Sequence, residues 1–369
     1  DLTVTSQDGG ALTLNNAIAT TGNQTFTGPM TVNGDLTTTG GTITVNDALS
    51  LAVDTTLTSG GGDITLSGAT DGAQALTLDA GTGAVVATGA IGGSTPITDF
   101  SATGSTIQLA DVTVSGGIAT NGDTTYTGLA TGGTSIVVIG DTTLGGGGLA
   151  TSNGSLTLDG AVTLADNAVL NTGGNSGDDL IITGAITGDY DLNITAGAGD
   201  VLLTSGADIN QLTFTSGNNL TLSGGTYTAD NGFDLSNLTN NILLTADTNI
   251  NATDGSTRSN ITFGNTNTIL GPHNLTLLGD VITLYDVGDN GGANDLLSLT
   301  VDGQTVNLLG GISTVGNQNY TSIDGLANNL TTQGSDITID APLTLQGNVT
   351  LSTGAGTGDI AITGSVNGA

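Results

Sequence analysis

One block of sequence returns along this chain with its punctuation intact: LSLAVDTTLTSGGGDITLSG from Leu49, VTLADNAVLNTGGNSGDDLIITG from Val162, ILLTADTNINATDGSTRSNITFG from Ile242 and LTLQGNVTLSTGAGTGDIAITG from Leu343. In each, two apolar residues stand six apart, at Leu51/Leu57, Leu164/Leu170, Leu244/Ile250 and Leu345/Leu351, with Asp54, Asn167, Asp247 or Asn348 midway between them. A strand cannot keep both apolar ends inside across such a residue. The chain is therefore expected to turn a corner there, with the Asx side chain capping its local backbone. The Gly-rich stretch that follows varies in length, from seven residues between Leu57 and Ile64 to eleven between Ile250 and Ile261. Corners are fixed and one loop is free, which is how a stack of repeats absorbs irregularity.

Other segments keep the same rhythm. Phe26, Tyr126, Tyr227 and Tyr320, in settings such as TGNQTFTG, NGDTTYTG and GNQNYTS, are spaced by 100, 101 and 93 residues, a superrepeat of roughly 98. These rings are expected to form an internal or corner ladder. ITDFSATGSTIQL from Ile97 recurs as INQLTFTSGNNLTL from Ile209 and LLSLTVDGQTVNL from Leu296. Strand signals arrive about every 8 to 12 residues without a linker or composition break, so residues 1–369 read as one continuous repeat array.

Composition decides what is being repeated. All 33 acidic residues are Asp, there is no Glu or Lys, and Arg258 is the only basic residue apart from a single His. The strong helix formers of protein surfaces are thus missing, while Asp, Asn and 62 Gly supply turns between short runs such as LTL and ITL. The fold class is all-β. A string of β-sandwiches is disfavoured by the lack of Trp and the five Tyr and five Phe; a parallel β-solenoid suits brief strands with single-residue corners. At about 20 residues per coil and about 4.8 Å between stacked strands, roughly 18 coils would make a rod nearly 90 Å long.

A net charge of −32 excludes unaided nucleic-acid binding and repels anionic membranes, and makes cations the natural companions. The longest apolar run, IVVI at residues 136–139, is far too short to span a bilayer. With no Cys, stability must come from backbone pairing and packing. The start at Asp1 without a visible signal peptide is expected of a segment from a much larger chain.

Together, GNQTFTG, GNQNYTS, LTLDAGTGAVVATGAIGGSTPITDF (residues 76–100) and LTSGGGDITLSG (residues 57–68) resemble the β-strand repeats of filamentous haemagglutinin-type bacterial surface proteins, over essentially the whole chain. The resemblance implies a right-handed parallel β-helix, export across a Gram-negative envelope, and a secreted or cell-surface role as adhesin, matrix component or fibre. Its implied partners are copies of itself, the remainder of a parent chain, extracellular polysaccharide, or a host or neighbouring cell. The family's amino-terminal secretion domain is absent from this segment, and the family has no shared binding residues to carry over.

Chemistry-bearing residues are few. A glycan-processing β-helix enzyme, the alternative reading, needs paired carboxylates at a defined separation. The only adjacent acids, Asp178 and Asp179, fall in a variable loop entering a strand. His273 follows Pro272 at a turn without a nucleophile or orienting partner, and Arg258 reads as a lone surface charge. No organic cofactor is implied. Calcium is the cation that Asp/Asn/Gly turns could hold, and Asp286, Asp289, Asn290, Asn294 and Asp295 in DVGDNGGAND are the candidate ligands. Repeated T-x-T could suit an ice-binding face, although irregular coil lengths argue against a flat array. N-L-T at Asn219, Asn237, Asn274 and Asn329 matches a glycosylation acceptor only formally, since alternating strands generate it.

Overall fold

Triplets such as LTT, ITV and ITL become strands of three or four residues whose first and third side chains are buried and whose middle one faces outward. That alternation is the period of two that a pleated strand imposes. A computed structural model describes residues 1–7, 9–289 and 292–368. The chain is all-β, with no helix among the described residues, and winds as a parallel β-solenoid of about 17 turns, each of roughly 21 residues. It divides into two compact units, Asp1–Ile181 and Ile182–Ala369.

In the first unit the strands stack in three columns. One runs Val4, Phe26, Val45, Leu66, Ala87, Leu109, Tyr126, Leu144 and Leu164. A second runs Leu12, Met30, Leu49, Thr70, Ile91, Val112, Ala130, Leu149 and Leu170. The third includes Leu36, Leu57, Leu78, Ala102, Thr120, Val138 and Leu158. From the second coil on, these side chains are almost wholly buried, each aliphatic one contributing about 1.5–3 kcal/mol of transfer free energy. In the first coil Leu2, Val4, Leu12, Leu14 and Ile18 are only half-buried, because that coil packs on one side.

The second unit also has three columns. One carries Val201, Leu220, Ile242, Ile269, Val287, Ile312, Leu330 and Leu351. Another carries Ala207, Tyr227, Ile250, Leu277, Val301, Tyr320, Ile339 and Ile362. The third begins Leu192, Leu212, Phe233, Ile261 and Ile282. Some corners are tight enough to require glycine: Gly271 has φ 129°, and a Cβ there would run into the Leu244 carbonyl of the coil beneath.

The corner Asx residues act between coils. Asp54 Oδ1 accepts the N–H of Ala75 at 2.9 Å, twenty-one residues on, and Asp35, Asp63, Asp111 and Asp141 likewise accept corner N–H groups of the following coil at 2.8–2.9 Å. Asp247 binds Asn274 in the same way. Local capping is thus the wrong destination for these side chains: the backbone group left over at a corner belongs to the neighbouring turn, and the carboxylate staples the two turns together. At the Val162 copy of the corner, the Asn167 N–H donates to Asp166 Oδ1 at 2.7 Å.

The four repeated rings are internal, at most 2% exposed, but they form no ladder. Between Phe26 and Tyr126 the column holds Val45, Leu66, Ala87 and Leu109, and between Tyr227 and Tyr320 it holds Ile250, Leu277 and Val301. What recurs is the ring's neighbour. Gln24 and Gln318 are fully buried; their amides donate to the Thr37 and Thr331 carbonyls at 2.7 and 2.8 Å and to the Thr20 and Thr314 hydroxyls at 3.2 Å. The apolar pairs six apart do flank corners: Leu51, Leu57, Leu164, Leu170, Leu244 and Ile250 are buried, and Leu345 and Leu351 half-buried in the last coils. Within the first unit Leu51 stacks on Val32 and Leu164 on Leu144, in different columns.

Candidate functional site

The loop that gathers the calcium candidates leaves the short strand Asp286–Val287 and is closed by Asp295, which is fully buried. Asp295 Oδ1 accepts the Asp289 N–H at 2.6 Å, and Oδ2 accepts the Ser313 hydroxyl at 2.9 Å and the Gln333 amide at 3.1 Å. A buried carboxylate needs such donors; here they tie the loop to the next two turns. Asp286 Oδ1 accepts the Gly311 N–H at 2.8 Å, and Asp286, Asp289 and Asn294 are exposed. Asn290 lies outside the described residues. Asp286 and Asp289 line an open groove of about 370 Å³ with Ser313, Asn328 and Asn329. Asp295 thus organises the loop, and Asp286 and Asp289 are the carboxylates the groove presents. Among the described residues no three His, Asp or Glu side chains gather into a set that could hold a metal.

The remaining candidates are dispersed. Asp178 is 6% exposed and its Oδ2 accepts both the N–H and the side-chain amide of Asn175, at 2.9 and 3.0 Å, while the Asp179 N–H donates to Ser155 Oγ at 3.1 Å. The adjacent acids close a loop. His273 Nδ1 lies 3.8 Å from Asp247 Oδ1, whose carboxylate also accepts from the Asn274 N–H and amide. Those two Asn274 bonds, and secondarily His273, hold Asp247 below the usual carboxylate range.

Arg258 is not a lone charge. Its guanidinium grips both oxygens of Asp302, forty-four residues away, at 2.8 and 3.1 Å. Each partner stabilises the other's charged form, raising the Arg and lowering the Asp. Arg258 ends the antiparallel hairpin of Thr253–Asp254 with Thr257–Arg258, which projects from the coil. Beside it lies a second open groove of about 390 Å³, lined by polar side chains including Gln211, Asn231, Asp234 and Asn260. Sequence reasoning did not single these out, because they come from turns of unequal length and share only their corner. Nearby, burial and then the charges of Asp254, Asp208 and Asp189 push Asp230 above the ordinary carboxylate range.

No helix among the described residues is long and apolar enough to cross a membrane. Compared with family models, with curated proteins and with solved structures, the chain matches none.

Proposed function

We propose that the chain is a non-enzymatic, extracellular segment of a bacterial surface protein, secreted to the cell surface and acting as an adhesin or fibrous scaffold through its repeated outer face. The observation that supports this reading is the deployment of the acids. Carboxylates at corner after corner accept N–H groups of the adjoining turn, where an enzyme acting on glycans would need two of them opposed across one groove. Short polar side chains fill one run of outward positions, Thr3, Thr25, Thr44 and Thr65, a surface suited to many weak contacts. Partners in this proposal are further β-coils, of the parent chain or of another copy, and the surface or matrix of a neighbouring or host cell.

Display of the full chain on a Gram-negative host tests the proposal. Displaying cells are expected to gain adherence to one another, to matrix or to an epithelial layer. A chain that is folded and displayed yet confers no adherence or assembly, or one that releases sugars from a glycan panel, would overturn it.

A further inference from the structure

At one corner of the second unit, successive turns present amide side chains. Leu212, Phe233 and Ile261 are in register, which puts Gln211 and Asn260 one residue and Asn231 two residues ahead of them on three consecutive turns. Outward on the strands that follow stand Thr213, Asp234 and Thr262, again in register. The polar groove lies along these residues, beside the hairpin that carries Arg258.

Two of these three amides, Asn231 and Asn260, are oriented in advance. The Asn231 amide donates to Asn210 Oδ1 at 2.9 Å, the Asn210 amide to Asp191 Oδ1 at 2.5 Å, and Asn260 Oδ1 accepts the Val281 N–H at 3.3 Å. The Asn231 oxygen and the Asn260 NH₂ group remain as further hydrogen-bonding groups along the groove. One turn before Gln211, the register slips between Gly188 and Asp191, and Tyr190 in that slip is 39% exposed, an aromatic face at the same corner. Arg258 is neutralised by Asp302, and Asp189, Asp208, Asp230 and Asp254 make the surroundings anionic.

We propose that this corner binds a neutral polysaccharide lying along the stack of turns. The proposal deepens the adhesive reading and rests on it. The Asn231 oxygen and the Asn260 NH₂ group can accept from and donate to sugar hydroxyls, the Gln211 amide can do both, and an exposed ring can stack on a sugar face. Turns about 4.8 Å apart repeat at close to the length of one pyranose unit, so consecutive sugars meet consecutive sets of donors and acceptors. The surrounding carboxylates repel uronate-bearing chains.

The test is calorimetric titration of the full chain with cellohexaose, laminarihexaose, chitohexaose and hexagalacturonate. At least one neutral hexamer is expected to bind and hexagalacturonate is not. Q211A/N231A/N260A should weaken binding about tenfold or more, the loss of one to two hydrogen bonds to uncharged partners, with unchanged far-ultraviolet circular dichroism; Y190A alone should weaken it by a smaller factor. N328A/N329A, in the other groove, should bind as the parent does. Failure of every neutral hexamer to bind, undiminished binding by both corner variants, or equal binding of hexagalacturonate would overturn the inference. Adherence of displayed cells that survives such a failure would leave the adhesive reading standing; loss of both would remove both.

Discussion

At the residue scale, the two copies of the buried glutamine form a natural comparison. Beside Gln318, the Tyr320 hydroxyl donates to Gln318 Oε1 at 3.0 Å; beside Gln24 stands Phe26, and Gln24 Oε1 is a buried acceptor without a hydrogen bond. An unmet buried acceptor costs about 1–3 kcal/mol. Phe26→Tyr is therefore expected to stabilise the chain by about 1 kcal/mol in thermal or denaturant melts, and Tyr320→Phe to destabilise it by a similar amount; a destabilised Phe26→Tyr would show that the column has no room for the hydroxyl. Asp295 supports a second expectation. Its oxygens are occupied by Asp289, Ser313 and Gln333, so calcium in place of chelator should leave the melting temperature within error. A rise that Asp286→Asn and Asp289→Asn abolish would instead establish these two as ligands. The sequence marked Gln24 and Asp295 as recurrent or acidic, but their bonding partners lie on other turns and could not be read from local spacing.

At the scale of elements, corners were legible and their bonds were not. The Asx residue midway between apolar pairs marked a turn correctly at Asp54, yet its acceptor role is directed to Ala75 because a corner's exposed N–H sits directly over the corner below. Protonation should weaken the staple at Asp247 and the Asp302 ion pair. For Asp247 and Asp302, held below the ordinary range, the folded state favours the charged form, so their stabilisation is present at neutral pH and is lost only as pH falls through those lowered values. Asp230, pushed up, has the opposite sign: its ionisation is unfavourable in the fold, and acidification relieves that cost first. Circular dichroism is thus expected to keep its β signal down to about pH 4, the ordinary carboxylate region, while light scattering rises as net repulsion fades. Below that, melting temperature should drop. Loss of β signal already at mild acidity would mean that the corner carboxylates carry far more of the stability.

At the scale of the whole molecule, the solenoid was readable because it depends on periodicity, turn residues and the absence of helix formers, all local properties. The apolar pairs six apart mark corners without marking one equivalent position, since Leu51 and Leu164 stand in different columns of one unit. The groove beside Arg258 was invisible for the complementary reason: Gln211, Asn231 and Asn260 meet only once turns of different length are stacked. In the scaffold proposed above, function is distributed over the repeat surface and depends on the stack of turns, with no single reacting group. The measurement that tests it most directly is adherence or assembly by the Asp178→Ala/Asp179→Ala/His273→Ala variant beside Leu164→Asp. Leu164 is 2% exposed, and a charge there should cost more than about 3 kcal/mol locally. The triple variant, folded by circular dichroism, is expected to retain nearly full adherence while Leu164→Asp loses much of it; a folded triple variant with no activity would contradict the scaffold proposal and restore a catalytic reading.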